Sequence, residues 1–205
     1  MAISCIVLAG GKGIRLGRNK VTVNIGNRSL LQRVISNLSF LDADIIVVTA
    51  KKEPLPQNID YPRLKVIGDI YPGKGSLGGI YSGLKASDSF HNFVVACDMP
   101  FLKRELIQYM IEVSADNDVI VPRLGDIIEP LHAVYSKNCI PSIEDLFNQG
   151  ELQIFQFFPF VKMRYIEEEE IDKYDPEHLS FFNINTEKDL MQAKEILSGE
   201  GVVND

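Results

Sequence analysis

The sequence predicts an α/β fold: a single domain, Rossmann-like, with a mostly parallel open sheet, helices on both faces and a mixed C-terminal part. Two observations carry this prediction. Short apolar runs at 3–9, 44–49, 64–67, 92–97 and 118–122 are unbroken rather than alternating, as in strands covered on both faces. Between them, apolar residues fall on single helical stripes: Leu30, Leu31, Val34, Ile35 and Leu38; Ile80 and Leu84; Leu106, Ile107, Met110 and Ile111. Strand and helix therefore alternate, and in such sheets ligands bind at the carboxyl ends of the strands.

After Pro122 the rhythm is less regular. A strand is expected at 130–135, a helix near 141–149, and strand-like runs near 153–158, 161–166 and 181–185. Thr186 with Asp189 three residues on resembles a capping box, so a last helix should carry Leu190, Ala193 and Leu197. Residues 1–197 read as one domain and 198–205 as a disordered tail, with no internal repeat and no linker between.

Composition narrows the class. The chain has 205 residues, 45% hydrophobic and 24% charged, which is enough for one sizeable core. No apolar run approaches the roughly 20 residues that span a bilayer, so no membrane partner and a cytoplasmic location are expected. A net charge of −7 without a basic stripe argues against nucleic acid as a partner. Cys5, Cys97 and Cys139 are widely spaced with no Cys-x-x-Cys, and read as buried small hydrophobes. His91, His132 and His178 have no partner at metal or triad spacing and read as surface or structural histidines, His132 the least securely.

Against this acidic background, residues 8–20 hold four glycines and four cations, with no acid, in thirteen positions directly after the first strand. Glycine lets backbone N–H groups approach an anion, and Lys12, Arg15, Arg18 and Lys20 can add charge-assisted hydrogen bonds. A polyphosphate site follows. Two commoner explanations fail: Gly11, Gly13 and Gly17 have one residue too many for a dinucleotide fingerprint, and Gly68 to Lys74 has P-loop spacing but Gly75 where Ser or Thr should bind Mg²⁺. A second glycine-rich loop, 73–79, opens the helix of Ile80 and Leu84, where backbone amides, Gly75 and Gly79 among them, can meet a base or ribose. Asp98 ends the fourth strand, a place that suits a Mg²⁺ ligand completed by phosphate oxygens and water; Asp69 repeats the arrangement after 64–67. Strand-ending aspartates also serve as turn formers or helix caps. Asn183, Asn185 and Thr186 bring amides and a hydroxyl to another expected strand edge.

Leu8-Ala9-Gly10-Gly11, then Arg15-Leu16-Gly17 and Lys20, resembles the nucleotidyltransferase signature, and Cys97-Asp98-Met99-Pro100 resembles its metal motif. With Asp69, Pro72-Gly73, Gly75-Ser76-Leu77-Gly78-Gly79, Pro130-Leu131 and Phe182-Asn183-Ile184-Asn185-Thr186, the sequence is similar to the molybdenum cofactor guanylyltransferases. The motifs occur in family order from residue 8 to about 190. Leu16, Asn19 and Glu187 depart from the usual Met, Asp and Pro. The resemblance implies transfer of GMP from GTP to the terminal phosphate of molybdenum-molybdopterin, with release of pyrophosphate. It implies a nucleotide site of Leu8, Ala9, Gly10, Gly11, Lys20, Lys51, Asp69, Gly75, Gly79 and Asp98, with Mg²⁺ on Asp98. Lys20 and Arg15 would neutralise charge on the leaving group, Asn183 and Asn185 would lie near the acceptor pterin, and proteins that deliver or accept the cofactor are possible partners. Related cytidylyltransferases and sugar-phosphate nucleotidyltransferases, or a noncatalytic nucleotide-binding protein of the same fold, are the alternatives. Gly10 favours the guanylyl branch, because cytidylyl relatives tend to carry Leu-Ala-Ala-Gly.

Overall fold

The computed structural model describes residues 2–10, 20–50 and 59–200. The chain runs through β1 (Ile3–Leu8), the small hairpin β2 (Asn24–Ile25) and β3 (Arg28–Ser29), α1 (Leu30–Leu38), β4 (Asp44–Thr49), β5 (Leu64–Gly68), α2 (Gly75–Ala86), β6 (His91–Ala96) and α3 (Arg104–Glu112). It continues with β7 (Val119–Leu124), β8 (Ile127–Ile128), β9 (His132–Ser136), α4 (Cys139–Gln149), β10 (Met163–Glu167), α5 (Glu168–Ile171) and α6 (Glu187–Glu200).

The main sheet has the order β10-β7-β9-β6-β1-β4-β5, with β8 paired to β7. β6, β1, β4 and β5 pair in parallel, as do β7 and β10, and β9 inserts antiparallel between β6 and β7. This is the expected mostly parallel sheet with a mixed C-terminal part. The unbroken apolar runs follow from burial on both faces. Cys5, Val7, Ile45 and Val47 point to α1 and α3, whereas Ile6, Leu8, Ile46 and Val48 point to α2 and α4. The three cysteines are buried and unpaired with one another. No helix among the described residues is long and apolar enough to cross a membrane.

Two expected strands are not strands. The expected run 153–158 falls instead on a 3₁₀ helix, Ile154–Phe160, with Gln153 at its N-cap, because Ile154, Phe157 and Phe158 are buried at helical spacing and Pro159 supplies no N–H for a ladder. Residues 179–181 form another 3₁₀ turn, and the chain then crosses the sheet edge instead of joining it, with Ile184 N–H bonded to the Asp98 carbonyl at 3.0 Å. The expected caps hold: Asp189 N–H donates to Thr186 Oγ1 at 3.2 Å, and Asp189 Oδ2 accepts from Thr186 N–H at 2.8 Å. α6 then continues to Glu200, through the first residues of the expected tail. The 167–170 acidic run starts α5 through a capping box, where Glu170 also accepts from Tyr109 and Arg164.

His91 and His132 are buried, and His178 pairs with Asp172 at 2.7 Å. His132 is the unusual one. It is fully buried between Phe93 and Phe181, with ring centroids 5.0 and 5.1 Å away, and neither ring nitrogen has a hydrogen-bond partner among the described residues. Burial pushes its pKa down to about 3.

Candidate functional site

The carboxyl ends of β1, β4, β5 and β6 share one sheet edge, with Leu8 in register with both Val48 and Ala96, and Thr49 with Gly68. Two cavities open there. One, of about 420 Å³, is lined by Leu8, Gly10, Thr49, Asp69, Gly75 and Gly79 among others. The other, of about 390 Å³, is lined by Ala9, Asp98, Glu129, Leu131, Asn183 and Asn185 among others. Leu8, Gly10 and Ser76 line both, so they form the ridge between them.

The first cavity owes its shape to glycines. A Cβ on Gly10 would stand 3.0 Å from the Ala50 backbone nitrogen, and one on Gly79 would stand 3.0 Å from Leu8 Cδ2. At Gly83 a Cβ would lie 2.4 Å from Ile6 Cγ2, so α2 rests on β1 at a distance only glycine permits. Gly73 and Gly75 have positive φ, +92° and +63°, which turns the chain from the Asp69 loop into α2. The glycines of 73–79 thus divide between turn geometry and close packing, and Gly75 and Gly79 also line the cavity. α2 begins without a side-chain cap and without an acid in its first turn, leaving its N-terminal dipole facing the ridge at Ser76.

Asp69 shapes the turn after β5 and also stands on the wall of the first cavity. Its Oδ1 accepts from Tyr71 N–H at 3.0 Å and lies 2.7 Å from Ser82 Oγ, a turn-forming arrangement, while the residue also lines the first cavity. Gly78 leaves room for the other oxygen, since a Cβ there would lie 3.1 Å from Asp69 Oδ2. The loop is pinned from outside by α4: Phe147 lies 5.2 Å from the Tyr71 ring and beneath Lys74 Nζ at 5.6 Å.

The second cavity is assembled from three distant segments. Asp98 follows β6 and is only 8% exposed. α3 starts at Arg104, so Asp98 caps no helix. Asn183 and Asn185 flank Ile184, which is buried under α6 with Leu190 and Ala193, and the Ile184 bond to the Asp98 carbonyl holds both asparagines beside Asp98. The third segment is the turn before β9, where Leu131 accepts from Ala96 N–H at 3.1 Å. It carries Glu129, whose carboxyl is raised by burial and by the charge of Asp98, and eased by Leu131 N–H.

Of the residues named from the sequence, Leu8, Gly10, Asp69, Gly75 and Gly79 line the first cavity, and Ala9, Asp98, Asn183 and Asn185 the second. The Ala9 amide is already bonded to the Val48 carbonyl at 2.8 Å, which leaves it no proton for a ligand. Gly11, Arg15 and Lys51 lie outside the described residues, as do Lys12 and Arg18; Lys20 begins a 3₁₀ turn, Lys20–Thr22, at the end of that segment. Sequence reasoning missed Glu129 and the bridging role of Ser76. A signal for Glu129 was present, an acid directly before the Pro130-Leu131 motif.

Comparison with known proteins agrees with this geometry. Residues 5–162 match the family model of the MobA-like NTP transferase domain. The chain is 36% identical over 189 residues to a protein of Pelotomaculum thermopropionicum named "Probable molybdenum cofactor guanylyltransferase", covering 92% of this chain and 90% of that one. It is 34% identical over 197 residues to the molybdenum cofactor guanylyltransferase of Desulfosudis oleivorans, covering 94% and 95%. The crystal structure of molybdopterin-guanine dinucleotide biosynthesis protein A from Archaeoglobus fulgidus superposes with a TM-score of 0.80 at 30% identity, covering 96% of this chain and 99% of that one.

Proposed function

Because the chain belongs to the MobA-like NTP transferase family and is a nucleotidyltransferase, we propose that it transfers GMP from GTP to the terminal phosphate of molybdenum-molybdopterin. The observation that carries this reading is the pair of cavities joined at the Leu8–Gly10–Ser76 ridge. The Asp69 cavity takes the nucleoside, the ridge and the α2 N-terminus take the phosphates, and the Asp98 cavity takes the acceptor. An oxygen of the acceptor phosphate attacks the α-phosphorus, the bond to the β-phosphate oxygen breaks, and pyrophosphate leaves. A phosphate monoester is already anionic near neutral pH, so the attack asks no side chain for a base. The protein's work is alignment and charge.

Magnesium fits the second cavity by the chemistry of its donors. Asp98 is a nearly buried carboxylate at the end of a strand, and no three His, Cys, Asp or Glu among the described residues gather into a metal-holding group of their own. That suits an ion held by one or two carboxylates and completed by phosphate oxygens and water. When bound, Mg²⁺ would supply Lewis-acid stabilisation of phosphate charge. Arg15 and Lys20 are assigned to the leaving pyrophosphate, Asn183 and Asn185 to the acceptor, and Lys51 to the nucleotide. Cofactor-delivery proteins are proposed as partners and the cytoplasm as the location.

The test is a binding panel of GTP, CTP, ATP and UTP with Mg²⁺, read by calorimetry. GTP should bind at least tenfold more tightly than each of the others. A preference for CTP would move the protein to the cytidylyl branch.

A further inference from the structure

Ser82 is fully buried on α2, and its hydroxyl is drawn into the loop that carries Asp69. The oxygen accepts from Ile70 N–H at 2.8 Å and lies 2.7 Å from Asp69 Oδ1 and 2.8 Å from the Gly78 carbonyl. A serine hydroxyl has one proton, so only one of the two acceptors can take it. The carboxylate oxygen is the charged one, and the Gly78 carbonyl is already served by the helix ladder. The proton therefore goes to Asp69. Turned the other way, it would leave lone pairs of Oγ and Oδ1 facing each other at 2.7 Å.

Asp69 Oδ1 thus takes two donors, Ser82 Oγ–H and Tyr71 N–H, and the Asp69 backbone N–H is bonded to the Thr49 carbonyl at 2.8 Å. Forming the turn asks only for the bond to Tyr71. The added bond has another consequence. Rotation about an aspartate Cβ–Cγ bond is ordinarily loose, and two donors from different elements, the turn and α2, fix the carboxylate plane. Both bonds fall on Oδ1, which leaves Oδ2 to meet a ligand from the wall of the first cavity. The hydroxyl's own place is set by helix-on-strand packing, because the next residue, Gly83, seats α2 on Ile6 of β1.

We propose that Ser82 is a positioning residue of the nucleoside site, holding the Asp69 carboxylate so that Oδ2 is presented at one fixed point to an N–H or O–H donor of the bound nucleoside. The inference rests on the reading of the first cavity as the nucleoside's and adds to it a residue that never touches the ligand. A carboxylate held by buried partners before the ligand arrives has less freedom to lose on binding, and that is what Ser82 supplies.

The test is calorimetric titration of wild type, Ser82→Ala, Asp69→Ala and the double variant with GTP, with steady-state kinetics alongside. Ser82→Ala should weaken GTP binding by about tenfold, as expected for one hydrogen bond to a charged group, and the loss should appear in KM for GTP and not in KM for the acceptor. Because Ser82 acts through Asp69, the double variant should bind no more weakly than Asp69→Ala alone. Ser82→Thr and Ser82→Val match in shape and differ in the hydroxyl, so the threonine variant should bind GTP more tightly than the valine one, and this pair decides the matter if Ser82→Ala does not fold. GTP affinity of Ser82→Ala equal to wild type overturns the proposal. Losses that add in the double variant overturn it too, and would make Ser82 a packing residue only. If wild type prefers CTP, the guanylyl reading fails while the same four proteins, titrated with CTP, still decide the role of Ser82. Wild type that binds no nucleoside triphosphate overturns both.

Discussion

The two cavities at the sheet edge are made in different ways. The Asp69 cavity draws on residues 8–10, 48–50 and 69–79, at the ends of the neighbouring parallel strands β1, β4 and β5, and its shape is set by what glycines leave out. The Asp98 cavity draws on residues 96–98, 129–131 and 183–185, brought together by an antiparallel strand and a final helix, and its character is set by polar side chains. A nucleoside needs a close-fitting slot, which small residues on adjacent elements supply. A metal and an anionic acceptor need charges that converge from several directions, which only long-range topology supplies.

If the Asp98 side is where the chemistry lies, damage there should cost turnover, and damage on the Asp69 side should cost packing and nucleotide affinity. The largest effect is expected for Asp98→Asn, which keeps the shape and removes the charge. Steady-state turnover should fall by about 10²–10³-fold, with a thermal midpoint close to wild type. Near-normal turnover would remove Asp98 from the metal role.

Next in size is an acid effect beneath the second cavity. His132 is the buried neighbour of Leu131, which lines that cavity, and it is held neutral, its pKa pushed down to about 3 from an ordinary 6.5 by burial. The unfolded chain takes up a proton that the folded chain refuses, so the favourable contribution is complete above pH 6.5 and is lost as pH falls toward 3. Between pH 6.5 and 4.5 this amounts to about 2–3 kcal/mol. His132→Phe, which keeps an aromatic ring between Phe93 and Phe181, should flatten the decline in urea-unfolding stability over that range. An unchanged pH profile would show that His132 is not the acid-sensitive group.

The smallest effect is expected on the glycine side. Gly83→Ala gains helix propensity of about 1 kcal/mol, yet its Cβ would collide with Ile6, and overpacking of this kind costs about 1–3 kcal/mol. A net loss of about 1 kcal/mol follows, with weaker GTP binding because β1 carries Leu8 into the slot. Stability at or above wild type would mean that α2 can lift away and that the slot tolerates it.

The same contrast explains what could be read in the sequence. Strands 44–49 and 64–67, the helical stripe of Leu30 to Leu38 and the glycines of 73–79 report local rules, and the structure agrees with each to within a residue or so at the strand and stripe ends. The Asp98 side was legible only in pieces. Asn183 and Asn185 were assigned to a strand edge, but they sit on an irregular crossing held by one backbone bond, a feature with no periodicity to detect. Glu129 is not legible from local pattern because its nearness to Asp98 depends on β9 lying next to β6, and that pairing joins residues 91–95 to 132–136. The 154–160 segment misleads for another reason: its aromatic run has strand-like composition, and Pro159 decides the geometry.

The central claim is that one side of the Leu8–Gly10–Ser76 ridge selects guanine and the other joins its nucleotide to a phosphate-bearing pterin. Product formation tests it most directly: the protein is incubated with molybdenum-molybdopterin, Mg²⁺ and each nucleoside triphosphate in turn, and pyrophosphate and the pterin dinucleotide are quantified together. The account predicts stoichiometric pyrophosphate and guanine dinucleotide with GTP and little of either with CTP. Tight GTP binding without pyrophosphate release, or faster product formation with CTP, would contradict it.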